Sequence, residues 1–190
     1  MEKFIKEKSL NISSEFQKIA TKGCLKTLHY NIDVSMLIPD YAKNINITKE
    51  GHFVSMFEDM MDKELCDNPA IYIFRINKEI DSKLIIDAVD SLGNHGLNVP
   101  AHYKNPENNG ILYIGKVKGC AWGRLIQHLG YHENTKSHGL QIQNWANKIQ
   151  GELKLTYTVM FFEKEVADYI ELLEVSLSKV PEFKPIIGKH

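Results

Sequence analysis

Three short runs dense in β-branched and aromatic residues set the architecture available to this chain. They are Ala70–Ile76 (Ala-Ile-Tyr-Ile-Phe-Arg-Ile), Ile111–Gly115 (Ile-Leu-Tyr-Ile-Gly) and 153–162, which alternates and then turns wholly apolar. Each is too short for a helix of ordinary length and is bounded by turn formers, so each reads as a strand. Between and after them the period changes to that of helices. Ile80, Leu84, Ile85, Ala88, Val89 and Leu92 share a face within 79–92. Cys120 to His128 forms a further helix, stopped by Gly130, and Ile142, Trp145 and Ile149 suggest another over 138–149. Residues 164–180 carry a stripe of Val166, Ile170, Leu173, Leu177 and Val180, ended by Pro181 and Pro185. The predicted fold is α/β of the α+β kind, with a small three-stranded, mixed or antiparallel sheet flanked by helices.

Upstream of the first run the chain looks helical and irregular. A Ser cap begins a helix at Ser13, and Phe53, Phe57, Met60 and Met61 mark an amphipathic helix whose Met-rich stripe is read as core. The expected division is an N-terminal helical extension over 1–65 and a domain over 66–190. That domain carries an insertion at 77–110, which includes a Gly-, Asn- and Pro-rich loop from Gly93 to Gly110.

Composition narrows the function classes. No apolar run approaches the roughly 20 residues of a membrane helix, and the polar start Met1–Lys8 does not resemble a secretory signal. Three scattered cysteines, Cys24, Cys66 and Cys120, fit free thiols in a reducing, cytoplasmic compartment. Net charge is −1, weak for a non-specific nucleic-acid binder. Residues 111–190 carry 10 Lys+Arg against 8 Asp+Glu, whereas 1–110 carry 13 against 16, so the later part is the more basic.

Two families of candidates can be drawn from the reactive side chains. His128 and His132, with Cys120 before and His138 after, include zinc-type ligands. Gly130 interrupts them, however, no HExxH glutamate is present and the spacing fits no common finger. Gly115–Gly119 lacks the ending of a phosphate loop. The second set is ordered along the predicted elements: Tyr72, Tyr113, Arg124, His128 and a glutamate, Glu174 or Glu171. Phosphodiester hydrolysis needs these types. A base must take a proton from water, and a tyrosine can take or relay it only if its pKa of about 10 is lowered by nearby cations or metal-bound water. A guanidinium fork suits phosphate oxygens, and one carboxylate suffices for a Mg²⁺ that keeps most of its waters.

Tyr113-Ile114-Gly115-Lys116, the degenerate Ala70-Ile71-Tyr72, Arg124 eleven residues past Tyr113 and a later helix glutamate resemble the GIY-YIG nuclease family. The pairing of Arg124 with His128 resembles its restriction-endonuclease branch. The likeness covers 69–190. Ala70 stands where the family has glycine, and Gly188 where it often has asparagine. The resemblance implies a metal-dependent endonuclease acting on DNA, of restriction, repair or mobile-element type. In it Tyr72 is general base or relay, helped by His128; Tyr113 orients water or phosphate; and Arg124 clamps phosphate oxygens. Glu174, preferred over Glu171 because it lies beside Leu173 and Leu177 on the apolar stripe, holds Mg²⁺ or Mn²⁺. Lys116 and Gly115 contact substrate. Residues 1–65 and 77–110 would recognise DNA, and a homodimer is a further expectation. The alternative is a catalytically inactive module of the same fold that binds nucleic acid or protein.

Overall fold

The computed structural model of the chain describes residues 1–37, 46–49, 51–131, 139–149 and 153–188. In order, its principal elements are α1 (Glu2–Lys22), β1 (Lys26–Asp33), α2 (Val54–Met60), β2 (Ala70–Ile76) and α3 (Ser82–Asp90). They continue with β3 (Ile111–Val117), α4 (Ala121–Leu129), β4 (Lys154–Phe161) and α5 (Ile170–Ser178). The sheet has four strands, not three, and every pairing is antiparallel, in the order β1-β4-β2-β3. The additional strand comes from the segment expected to be helical. In Lys26–Asp33, Leu28, Tyr30 and Ile32 alternate with polar residues, the period-two pattern of a strand with one face on the core.

β2 is central and buried on both faces, which is why it reads as an unbroken apolar run. Its Tyr72 and Phe74 join Tyr157, Val159 and Phe161 of β4 in the larger core, against Met56 and Met60 of α2, Leu125 and Leu129 of α4, and Trp145. Its Ile71 and Ile73 face the other way, with Ile114 of β3, onto Val166 and Ile170. Phe74 pairs with Tyr113 but Arg75 pairs with Ile111, so Leu112 is the extra residue of a β-bulge. The bulge lets both Leu112 and Tyr113 join the larger core. The outer edge of β3 is bonded by a later segment: the Ile186 and Ile187 amides donate to the Ile111 and Leu112 carbonyls, at 2.9 and 3.0 Å.

Other sequence readings need correction. The helix expected over 138–149 is two 3₁₀ turns, Ile142–Asn144 and Ala146–Lys148, entered through Gln141 at a φ of 53°. Ile142 and Trp145 are nonetheless buried as the spacing required. The helix expected over 164–180 starts as a 3₁₀ turn, Lys164–Asp168, and only α5 is α-helical. On α2 the buried methionines are Met56 and Met60, while Met61 is exposed. The histidines His132 and His138 of the zinc reading lie outside the described residues. Among the described residues no helix is long and apolar enough to cross a membrane.

Candidate active site

Tyr72 projects from β2 onto the larger-core face and lies opposite Gly115 on β3. Gly115 leaves the space it needs. A Cβ built there would come within 2.5 Å of Tyr72 Cζ and 2.7 Å of Tyr113 Cε1, and would strike the Tyr72 hydroxyl as well. α4 begins after Cys120, in the left-handed region at φ 56°, and ends at Gly130, a left-handed terminator at φ 95°. One turn apart on α4, Arg124 and His128 both reach the Tyr72 hydroxyl. His128 Nε2 is 2.8 Å from it and Arg124 Nε donates to it at 3.4 Å.

The polarity of the histidine contact is fixed by its other nitrogen. The Leu140 amide donates to His128 Nδ1 at 3.2 Å, so Nδ1 carries no proton and Nε2–H donates to Tyr72. His128 is 1% exposed. Burial, with Arg124 beside it, pushes its pKa down from 6.5 to about 3. His128 is therefore a neutral hydrogen-bond donor at neutral pH and holds the phenol oxygen without accepting its proton.

Burial pushes the Tyr72 phenol above its ordinary range, as do the neighbouring Tyr113 and Glu174, against the pull of Arg124. Tyr113 is raised by burial and by Glu174, and lowered by Arg124 and by its hydrogen bond with Tyr72. The tyrosines thus stand protonated. That is the reverse of the lowered pKa expected for Tyr72 as base or relay, because burial outweighs the pull of Arg124.

The charge of Glu174 reaches both tyrosines although α5 packs on the other face of the sheet. Gly115 lies opposite Tyr72 on β3. The next residue, Lys116, pairs with Ile71 of the smaller core and points to the α5 side. There its Nζ lies 3.0 Å from Glu171 and 3.9 Å from Glu174. The two glutamates differ in environment: Glu174 is buried at 3% exposure and Glu171 is exposed. Among the described residues no group of three or more His, Cys, Asp or Glu side chains is placed to hold a metal ion. A single hard carboxylate beside the tyrosines still fits a Mg²⁺ held otherwise by water and phosphate oxygens.

The structure thus brings Tyr72, Tyr113, Arg124 and His128 together on one face of the sheet at Gly115, and places Glu174, Glu171 and Lys116 together on the other face, where Glu174 reaches the tyrosines by its charge alone. It adds two side chains that sequence reasoning missed. Gln127, one turn along α4, accepts from Arg124 Nη1 and orients the guanidinium; its i, i+3 spacing from Arg124 was the available signal. Tyr157 lies against Tyr72 with ring centroids 5.9 Å apart. Its hydroxyl is buried with no hydrogen-bond partner among the described residues. The cavity of about 610 Å³ bordered by Asn31, Asn147 and Lys154 touches none of these groups.

Two expected results arise from this arrangement. Tyr157→Phe removes an unbonded hydroxyl, so stability in urea denaturation will stay level or rise by up to about 1 kcal/mol. A loss beyond about 1 kcal/mol would mean that the hydroxyl is bonded in solution. The second concerns acid. Between pH 6.5 and about 3 the unfolded chain protonates His128 and the folded chain does not. Its stabilising contribution is complete above 6.5 and lost as pH falls, by up to about 1.4 kcal/mol per pH unit. His52, also held low by burial, adds in the same direction. His128→Gln will flatten the acid limb of a stability-versus-pH curve, and an unchanged limb would refute the assignment.

Compared with protein families, with characterised proteins and with solved structures, the chain matches none.

Proposed function

We propose that the chain is a GIY-YIG-type endonuclease that hydrolyses DNA phosphodiester bonds with the help of Mg²⁺ or Mn²⁺. One observation carries the reading: Arg124 and His128, one turn apart on α4, both bond the Tyr72 hydroxyl, beside the Tyr113 ring and within electrostatic reach of Glu174. On this reading Arg124 holds a phosphate oxygen with the donors that Tyr72 and Gln127 leave free. Tyr72 passes on a proton from the attacking water as its own moves to Tyr113 and the Tyr113 proton leaves to solvent, while His128 and Arg124 steady the oxygen through the exchange. Tyr113 orients the water or the phosphate. Lys116 adds positive charge beside the transferring group. Glu174 would hold the divalent cation, which would supply charge stabilisation at the phosphate. DNA is the partner, with residues 1–65 and 77–110 the candidate recognition segments. The cysteines are free, in keeping with a reducing compartment.

A second reading, a non-catalytic binding module, is favoured by the complete burial of Tyr72 at 0% exposure. Cleavage of supercoiled plasmid separates the two. The expected outcome is nicking or linearisation with Mg²⁺, none with EDTA, and a rate about 10²–10³ lower in Arg124→Ala. Retained DNA binding without cleavage of DNA or RNA in either metal would leave the binding module.

A further inference from the structure

The opposite face of the sheet carries a second cation that the proposed chemistry does not use. Arg75 alternates with Phe74 on β2 and so points away from the tyrosine cluster. Its guanidinium is half-buried, and burial pulls it below its ordinary value with no charged neighbour adding to or opposing the shift. Among the described residues no carboxylate pairs with it. A charge taken partly out of water is ordinarily paired. Here its neighbours are the Thr158 hydroxyl, 3.5 Å from Nη1, and the Phe183 ring, with Cζ 5.9 Å from the centroid.

Thr158 bridges Arg75 to His29. The hydroxyl is buried, accepts from Arg75 and lies 3.0 Å from His29 Nδ1. In the tautomer with Nδ1 unprotonated the hydroxyl proton goes to Nδ1, and His29 presents Nε2–H outward. In the adjoining row, Asn31 pairs with Thr156, which pairs with Arg75. His29 and Asn31 are exposed. Most of the Arg75 fork, an imidazole N–H and an amide thus stand on one open patch, walled by Phe183. A carboxylate has two oxygens, which the arginine fork alone would occupy. A phosphate group offers a third for His29 or Asn31.

We propose that Arg75, Thr158 and His29 form an oxyanion site on the β1-β4-β2 face that takes a phosphate group. It is separate from Arg124, which lies on the other face, and stands independently of the nuclease reading. The source is either a phosphate of a nucleic-acid backbone or a free phosphate or monoester.

Titration with inorganic phosphate at constant ionic strength tests it, followed by NMR at the Arg75 Nε–H and His29 ring signals. The expected result is a saturable shift of both signals with a dissociation constant of about 10 mM or below. It persists in Arg124→Ala and weakens at least about tenfold in Arg75→Gln, read at His29, with Thr158→Val as a milder second variant. Thermal melts establish that both variants remain folded. A short oligothymidylate that displaces phosphate assigns the site to nucleic acid, and displacement by a phosphate monoester alone assigns it to small molecules. A non-saturating shift, or one that survives Arg75→Gln in a folded protein, overturns the proposal.

Discussion

Glu174→Gln will lower metal-dependent plasmid cleavage by about 10³-fold or more, whereas Glu171→Gln will change it by less than about tenfold. The contrast rests on environment. Glu174 is buried, and its charge is felt at both tyrosines. Glu171 is exposed and bonded to Lys116 at 3.0 Å. The substitution to glutamine keeps the shape and removes the charge, so packing on α5 is retained and the loss reads the carboxylate itself. Removing that charge also removes one influence holding both phenols up, so Tyr72 and Tyr113 will titrate at lower pH in Glu174→Gln. Phenol absorbance against pH reads this without any substrate. If cleavage survives Glu174→Gln but not Glu171→Gln, the metal assignment moves to the rim. If it survives both changes, no glutamate of α5 holds the metal.

Gly115→Ala is expected to harm both folding and activity. The added methyl would enter the space of the Tyr72 hydroxyl and lie 2.7 Å from Tyr113 Cε1. The Tyr72 ring is not free to yield: it is packed against Phe74, Tyr157 and His128, with centroids at 6.1, 5.9 and 5.3 Å. Overpacking of this kind costs about 1–3 kcal/mol. Cleavage will fall by about 10²-fold or more, because a displacement of about 1 Å at the relay oxygen breaks its alignment with Arg124 and His128. Urea denaturation and plasmid cleavage together check it. Wild-type stability with wild-type activity would show that the two rings do not occupy the space above Gly115.

Much of this site could be read from the chain because its members sit on regular elements. Arg124 and His128 are four apart on a helix with clear stops, so their shared direction followed from the helical period. Glu174 was expected on an apolar stripe and is buried there. What escaped was set by tertiary partners. The tautomer of His128 depends on the Leu140 amide, twelve residues away in sequence. Tyr157 joins the cluster only because β4 pairs with β2, bringing Tyr157 opposite Phe74. The strand Lys26–Asp33 was passed over because its alternation is half polar, as suits an edge strand, and lacks the density of apolar residues that marks β2. The 3₁₀ turns around Trp145 satisfy the same apolar spacing as an α-helix, so the pattern could not choose between them.

The contribution of β1 from the N-terminal segment bears on how the protein can be cut. A fragment beginning at residue 66 would keep every proposed catalytic side chain but lose the partner of β4, whose residues 154–161 pair with β1 one for one. The freed ladder would present Leu155, Tyr157, Val159 and Phe161 on an unprotected rim, open to strand exchange with another molecule. The smallest unit expected to behave as a monomer therefore starts ahead of Lys26.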